Sequence, residues 1–329
     1  MTTLRVWQVM TLLLVCSLLL SGCGQRQLNE LGLVAAVGLD PGKEPGSVRL
    51  TAQIVRPADA RGQTGAPTGG VGEPIYSVSA EGRTIFEAIR NMARYSTRRV
   101  YWAHNYLIVM NEDYAKAGVT DMVDFFTRNH ELRMNTWVAV TPDNASEVVS
   151  TITGLEVVPG EAIDKLMRFS EIVAEAPRTN IMRLQEMHLT PHTQIVLAKL
   201  QLKKRGIPNK SPEKGATLKQ LELSGAAVFR EDKMEGWLSP KESNAMLLFL
   251  QDIKSGVIVQ PCPDEENRYI TLEVRQQRVQ VKPEMKEGEP TFSVSVSTQA
   301  SMVELGCRAS YAELRPSLEK QLADEIKLS

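Results

Sequence analysis

Apolar positions along this chain follow two rhythms, and together they divide it into strands and helices. Residues 32–40 form a short apolar run closed by Asp40-Pro41-Gly42, a turn signal after a segment of strand length. Residues 48–55 alternate, which leaves one polar face, and an antiparallel hairpin is the short connection between the two runs. Residues 75–80, 106–110 and 135–140 read as further strands. Between them the spacing changes to three and four. Residues 85–95 place Ile85, Ala88, Ile89 and Met92 on one face, with Thr84 as cap and Glu87 at the spacing of a capping box. A short helix starts at Asn111 and breaks near Gly118. Residues 119–130 then turn Val119, Met122, Val123 and Phe126 inward, and 145–152 resume helix. Helical spacing also covers 161–176, stopped by Pro177, and predicts helices over 181–187 and 193–202.

Two stretches break these rhythms. Residues 56–74 hold Gly62, Gly65, Gly69, Gly70, Gly72, Pro57, Pro67 and Pro74 with almost nothing to bury, the composition of a mobile surface loop. Its glycines lack the Lys-Ser or Lys-Thr ending of a phosphate cradle. Residues 206–215 carry the second shift and set the expected boundary between an N-terminal α/β domain, 23–205, and a C-terminal one, 206–329. The second domain opens with a strand over 221–230, the turn Glu231-Asp232-Lys233 and a returning strand over 234–238. Ser239-Pro240-Lys241-Glu242 is a strong helix start, and Ala245, Leu248 and Phe249 are expected to face inward. Strands follow over 256–260, 269–280 and 291–303, then a final helix to about 326 with no terminating residue, which reads as a domain cut short. The fold class expected is α+β, several domains of mixed sheets with packed helices.

The first 23 residues have their own logic. Arg5 precedes an apolar run over 9–20 that is shorter than the ~20 residues a hydrocarbon core needs, so it reads as a secretory leader over 1–22. Leu20-Ser21-Gly22-Cys23 is similar to the lipobox of bacterial lipoprotein precursors. That resemblance implies cleavage before Cys23 and acyl chains on it. Two or more chains hold a protein stably on a bilayer without a spanning helix.

Charge and chemistry narrow the function. The whole chain carries −1, or −2 once Arg5 leaves, which argues against a nucleic-acid binder. With Cys16 in the leader and Cys23 acylated, Cys262 and Cys307 remain; an exported pair suggests one disulfide, against two separate buried thiols. His188 and His192 lie four apart, but Pro191 falls between them and the Glu of a metalloprotease helix is missing. No Gly-x-Ser-x-Gly elbow is present. Neither an enzyme nor a bound metal or cofactor is expected. Polar aromatics cluster at Tyr101, Trp102, His104, Asn105 and Tyr106 beside Arg98 and Arg99. They form either a binding rim or a polar seam where strand meets helix, with the arginines in local salt bridges or against lipid headgroups. Arg128, Glu131 and Arg133 belong to a second dense polar patch, and Trp237 joins an interaction surface or plugs the second core.

Blocks in a fixed order then carry a family resemblance. They are Leu28-Asn29-Glu30-Leu31, Gly38-Leu39-Asp40, Arg99-Val100, His104-Asn105, the run from Asp124-Phe125-Phe126 to Glu131-Leu132-Arg133, Gly225-Ala226-Ala227-Val228-Phe229 and Gly236-Trp237-Leu238. With the lipobox, they resemble the Ger(x)C family, the lipoprotein subunit of bacterial spore nutrient germinant receptors. The chain departs from the family pattern at Gly24-Gln25-Arg26 and at Asn129 and His130. The resemblance implies a non-enzymatic lipoprotein anchored through Cys23 to the outer face of the spore inner membrane. Its implied partners are a polytopic subunit and a partly membrane-embedded one, with a role in assembly or signalling. The alternative, from export, two domains and the aromatic cluster, is a solute-binding lipoprotein that itself recognises a small nutrient.

Overall fold

The computed structural model describes residues 6–8, 10–11, 31–55, 75–151, 158–204, 219–250, 253–263 and 265–328. Cys23, the loop expected over 56–74 and the boundary expected over 206–215 lie outside the described residues. Among those described, nine strands form one mixed sheet. They are β1 (Leu31–Pro41), β2 (Val48–Val55), β3 (Ile75–Gly82), β4 (Arg99–Tyr101), β5 (Leu107–Asn111), β6 (Trp137–Thr141), β7 (Val196–Lys204), β8 (Lys219–Arg230) and β9 (Lys233–Leu238). The order is β3-β2-β1-β5-β6-β7-β8-β9, with β4 beside the start of β1. The central β1, β5, β6 and β7 run parallel, and the outer strands pair antiparallel.

Helices cover both faces, and alternation sorts the side chains between them. Ile108, Met110, Val138 and Val140 point to a core closed by α1 (Ile85–Met92), α3 (Thr120–Arg128) and α6 (Ile181–Leu189). Leu107, Val109 and Ala139 point the other way, under α4 (Ala145–Ser150) and α5 (Pro159–Val173). The short α2 (Glu112–Ala117) follows β5, capped by Asn111. Both expected caps form, reciprocally at Ser239, while at the other start the Glu87 carboxylate accepts from Arg83 N at 2.7 Å instead of from the cap residue. Thr84 Oγ1 accepts from Glu87 N at 3.1 Å, and Ser239 Oγ accepts from Glu242 N at 3.3 Å while Glu242 Oε2 accepts from Ser239 N at 2.8 Å.

A three-stranded sheet stands apart, made of β10 (Gly256–Pro261), β11 (Tyr269–Lys286) and β12 (Glu289–Leu305) in that order. The last helix, α8 (Tyr311–Leu328), packs Leu314 and Leu318 on Ile270 and Leu272 beside the Cys262–Cys307 disulfide. Helix α7 (Pro240–Leu250) links the two sheets, with Leu247 packed against Ile253, Val274 and Ala174.

Three expectations change. The helix expected over 193–202 is β7, because both faces of this strand are buried: Ile195 and Leu197 enter one core, Ala198 and Leu200 the other. Apolar residues on both faces of a strand mimic helical spacing. The polar face of β2 is not solvent-facing: Gln53 is fully buried, donating to the Val149 carbonyl and accepting from Gly160 N at 3.1 Å. In α7 the inward residues are Ser243 and Leu247, while Phe249 is exposed. β7 also pairs with β8 across residues 205–218, so β8 and β9 extend the same sheet. Trp237 accordingly packs against the large core rather than plugging a second one.

Candidate interaction surfaces

In parallel α/β sheets the carboxyl ends of the strands are the usual ligand crevice. Here the polar groups at those ends cap the fold's own helices. Asp40, at the end of β1 and buried, accepts from Ala145 N at 2.7 Å and Ser146 N at 2.9 Å, holding the amino end of α4. Asn111, ending β5, donates to the Asp143 carbonyl at 3.0 Å, and Asp143 Oδ2 accepts from Leu202 N at 2.9 Å.

The opposite, amino end of the strands carries a groove of about 430 Å³. Its walls are α1, residues 96–100 and residues 129–131 after α3; the buried Trp102 and half-buried Phe125 form its base. Arg90 lies over the Phe86 ring at 4.8 Å, and Phe86 meets Phe125 at a centroid distance of 6.4 Å. Arg99 Nη2 sits 3.5 Å from Glu131 Oε1, and Glu131 N donates to Asn129 Oδ1 at 3.0 Å.

This groove gathers Arg98, Arg99, Trp102 and Glu131 from the expected set. The rest are distributed around it. Tyr101 and His104 are ring neighbours at 6.4 Å, with His104 exposed. Asn105 is 4 % exposed, so the polar run is not a continuous rim. The Asn105 carbonyl accepts from Thr136 Oγ1 at 2.9 Å, while neither atom of its side-chain amide has a hydrogen-bond partner among the described residues. Arg128 pairs with Asp124 at 2.5 Å on the exposed side of α3, and Arg133 is exposed beyond it. Trp237 belongs elsewhere: its ring lies 5.0 Å from Lys199 Nζ. Lys116, 2.7 Å from Glu112, holds the Glu112 carboxyl below the usual carboxylate range, with a smaller contribution from a hydrogen bond to Trp237.

A second groove, of about 380 Å³, escaped the sequence reading. It lies between the end of α5, helix α7, strand β10 and the end of α8. Val173 at the end of α5 and Val257 and Val259 on β10 line it and are exposed, Val257 at 67 %; Phe169 and Ile172 on α5 and Phe249 and Leu250 on α7 are exposed on the same helices outside its lining. The edge of β10 away from β11 has no partner strand among the described residues. The sequence signal was available in Val257-Ile258-Val259, an apolar run without alternation. Such a run normally marks a strand covered on both faces. Among the described residues, no three His, Cys, Asp or Glu side chains are grouped to hold a metal ion, and no helix is long and apolar enough to cross a membrane.

Comparison with known proteins places both units. Residues 24–202 match the family described as "Spore germination protein N-terminal domain", and 224–328 match "Spore germination B3/ GerAC like, C-terminal". The chain is 27 % identical to spore germination protein KC of Bacillus subtilis (strain 168), over 96 % of this chain and 80 % of that protein. It is 24 % identical to the putative spore germination protein YfkR of the same organism, over 89 % of this chain and 73 % of the relative. A crystal structure of the GerBC protein aligns with 93 % of this chain and 83 % of its own at a TM-score of 0.47 and 19 % identity.

Proposed function

This chain belongs to the GerAC-like family of spore germination proteins, non-catalytic subunits of germinant receptors, and from that premise we propose that it is a lipid-anchored assembly subunit. Acyl chains on Cys23 hold it on the outer face of the spore inner membrane, beside a polytopic subunit and a partly membrane-embedded one. The exposed apolar groove at α5, α7 and β10 is the observation that supports assembly. Isolated exposed apolar residues are ordinary, but a contiguous patch rimming an open strand edge is characteristic of an interaction site. Ile253 and Val274 at its floor belong to the core beneath α7, whereas Val173, Val257 and Val259 on its rim are exposed, and their apolar character calls for another explanation.

Copurification from spore membranes tests this reading. The double variant Val173→Glu/Val257→Glu, both exposed lining residues, is expected to fold, keep its lipid and lose both membrane subunits. Retention of both partners by the folded variant would remove the groove from the interface. A second reading, direct nutrient recognition, is favoured by the groove beneath Arg98 and Arg99, whose volume is in the range of small-molecule sites. Calorimetry with amino acids and sugars separates the two: tight binding supports recognition, and silence across the panel supports assembly. Radiolabelled fatty acid incorporated into the native chain but not into Cys23→Ala checks the anchor.

A further inference from the structure

The near-neutral whole-chain charge conceals an asymmetric surface. Between residues 83 and 99 the chain carries Arg83, Arg90, Arg94, Arg98 and Arg99 against the single acid Glu87. The fold concentrates three of these, Arg90, Arg98 and Arg99, on one groove, where Glu131 is the one facing carboxylate among its lining residues. All three are exposed. Phe86, 52 % exposed, supports the Arg90 guanidinium at the rim, and exposed Tyr95 lies on the adjoining turn, donating to the Ser79 carbonyl.

Position gives this surface a partner. Strand β4 pairs Arg99 with Leu31, and a Cβ on Gly32 would lie 3.7 Å from the Arg98 Cβ. Leu31 is eight residues after Cys23. A fully extended chain covers about 3.5 Å per residue, so the arginine groove lies within about 28 Å of an acylated Cys23. The second, apolar groove is built on elements far from that tether in sequence and in the sheet, at α5, α7 and β10.

We propose that the groove lined by Arg90, Arg98 and Arg99 binds the phosphates of anionic phospholipid headgroups and thereby fixes which side of the tethered body faces the bilayer. The proposal rests on Cys23 being the anchor, since that is what holds the surface within reach. Arginine forks match phosphate oxygens two at a time, and aromatic side chains with a polar partner suit the headgroup layer. Screening confines the attraction to roughly 8 Å at physiological salt. The surface therefore acts at contact range: it binds anionic vesicles weakly without the anchor, and on the tethered body its effect is to set orientation.

The test uses the mature chain, residues 23–329, carrying Cys23→Ser, so that binding depends neither on acylation nor on the apolar leader. It is floated with vesicles of phosphatidylglycerol and phosphatidylcholine in equal parts, or of phosphatidylcholine alone. Binding to the mixed vesicles is expected, weakening at least tenfold between 0.05 and 0.5 M salt, as for a contact made of a few exposed charges (about severalfold per charge). Arg90→Gln/Arg98→Gln/Arg99→Gln, with its fold verified by circular dichroism, is expected to lower that binding about tenfold or more, and Arg230→Gln/Arg315→Gln to leave it unchanged. Equal binding to both vesicles, or an unaltered triple variant, overturns the proposal. So does binding of soluble glycerol phosphate, or of an amino acid, with none to the vesicles. If fatty-acid labelling fails while the mixed vesicles still bind, the anchor reading falls and the headgroup surface stands.

Discussion

The nine-stranded and three-stranded sheets meet the same requirement, burial of apolar surface, with very different means. In the large sheet every central strand is covered on both faces, and the fully buried side chains Phe126, Met110, Ile108 and Leu184 come from strands and helices alike. In the small sheet one face rests on α8 through Ile270, Leu272, Leu314 and Leu318, while most of β12 faces solvent along its whole length. A core of that size rarely supports a fold unaided, and small units are commonly reinforced by a covalent link. The disulfide between Cys262 and Cys307, 45 residues apart, sits within this small cluster. The contrast teaches that a thin, one-sided sheet is tolerated when a crosslink limits its unfolded state, and such a sheet leaves an edge open.

The sharpest way to break that contrast is to damage each region and ask whether the other notices. Phe126→Ala empties a fully buried site in the large core and is expected to cost about 3–5 kcal/mol. Denaturant titration with a probe in each region should show the large sheet losing stability while the small one holds. Cys262→Ser/Cys307→Ser removes the crosslink of a loop of 45 residues, at about 4 kcal/mol. Limited proteolysis should then cut within residues 256–305 and spare the large sheet. Should both variants shift both probes together, the two sheets form one cooperative unit and the contrast fails.

Smaller effects sharpen the picture within the large sheet. Asp40→Ala leaves two amino-end N–H groups of α4 without their carboxylate and is expected to cost about 2 kcal/mol, read by thermal melting. Gly225 has φ of +92°, and a Cβ there would lie 2.4 Å from the Leu238 carbonyl oxygen. Gly225→Ala is therefore expected to cost about 1–2 kcal/mol by strain in the β8–β9 hairpin.

The smallest effect is one of pH. Burial pushes the Tyr114 phenol above its ordinary 10.0, with Asp121 adding to the rise. The folded state then keeps a proton that the unfolded chain releases, so this contribution is complete below pH 10 and declines as pH climbs above it. Tyr114→Phe should flatten the alkaline fall in stability of the large sheet, measured by urea titration between pH 9 and 11.

How much of this was legible beforehand depends on the range over which each decision is made. The helix starts at Thr84 and Ser239 were readable because a cap and its glutamate are three residues apart and bond each other. The inward face of α3 was readable because Met122, Val123 and Phe126 are neighbours on one helix. Strand β7 was not, since its edges are paired by β6 and β8 and its two faces enter separate cores built with helices from distant sequence. The partition of Arg98, Arg99 and Glu131 into one groove, with Trp237 sent elsewhere, was equally out of reach. Arg99 and Glu131 are 32 residues apart, and only the packing of α1 against α3 brings them together.

By itself the sequence determined the caps, the turns, the two rhythms of apolar residues and the composition breaks, all set by interactions within a turn or two of the chain. Tertiary structure alone decided which strands share a sheet, that residues 219–238 extend the large one, and which exposed residues gather into the arginine groove and the apolar one. The reason is physical. Local backbone preferences act between neighbours, whereas sheet pairing and surface patches depend on segments whose meeting is governed by the burial of the whole chain.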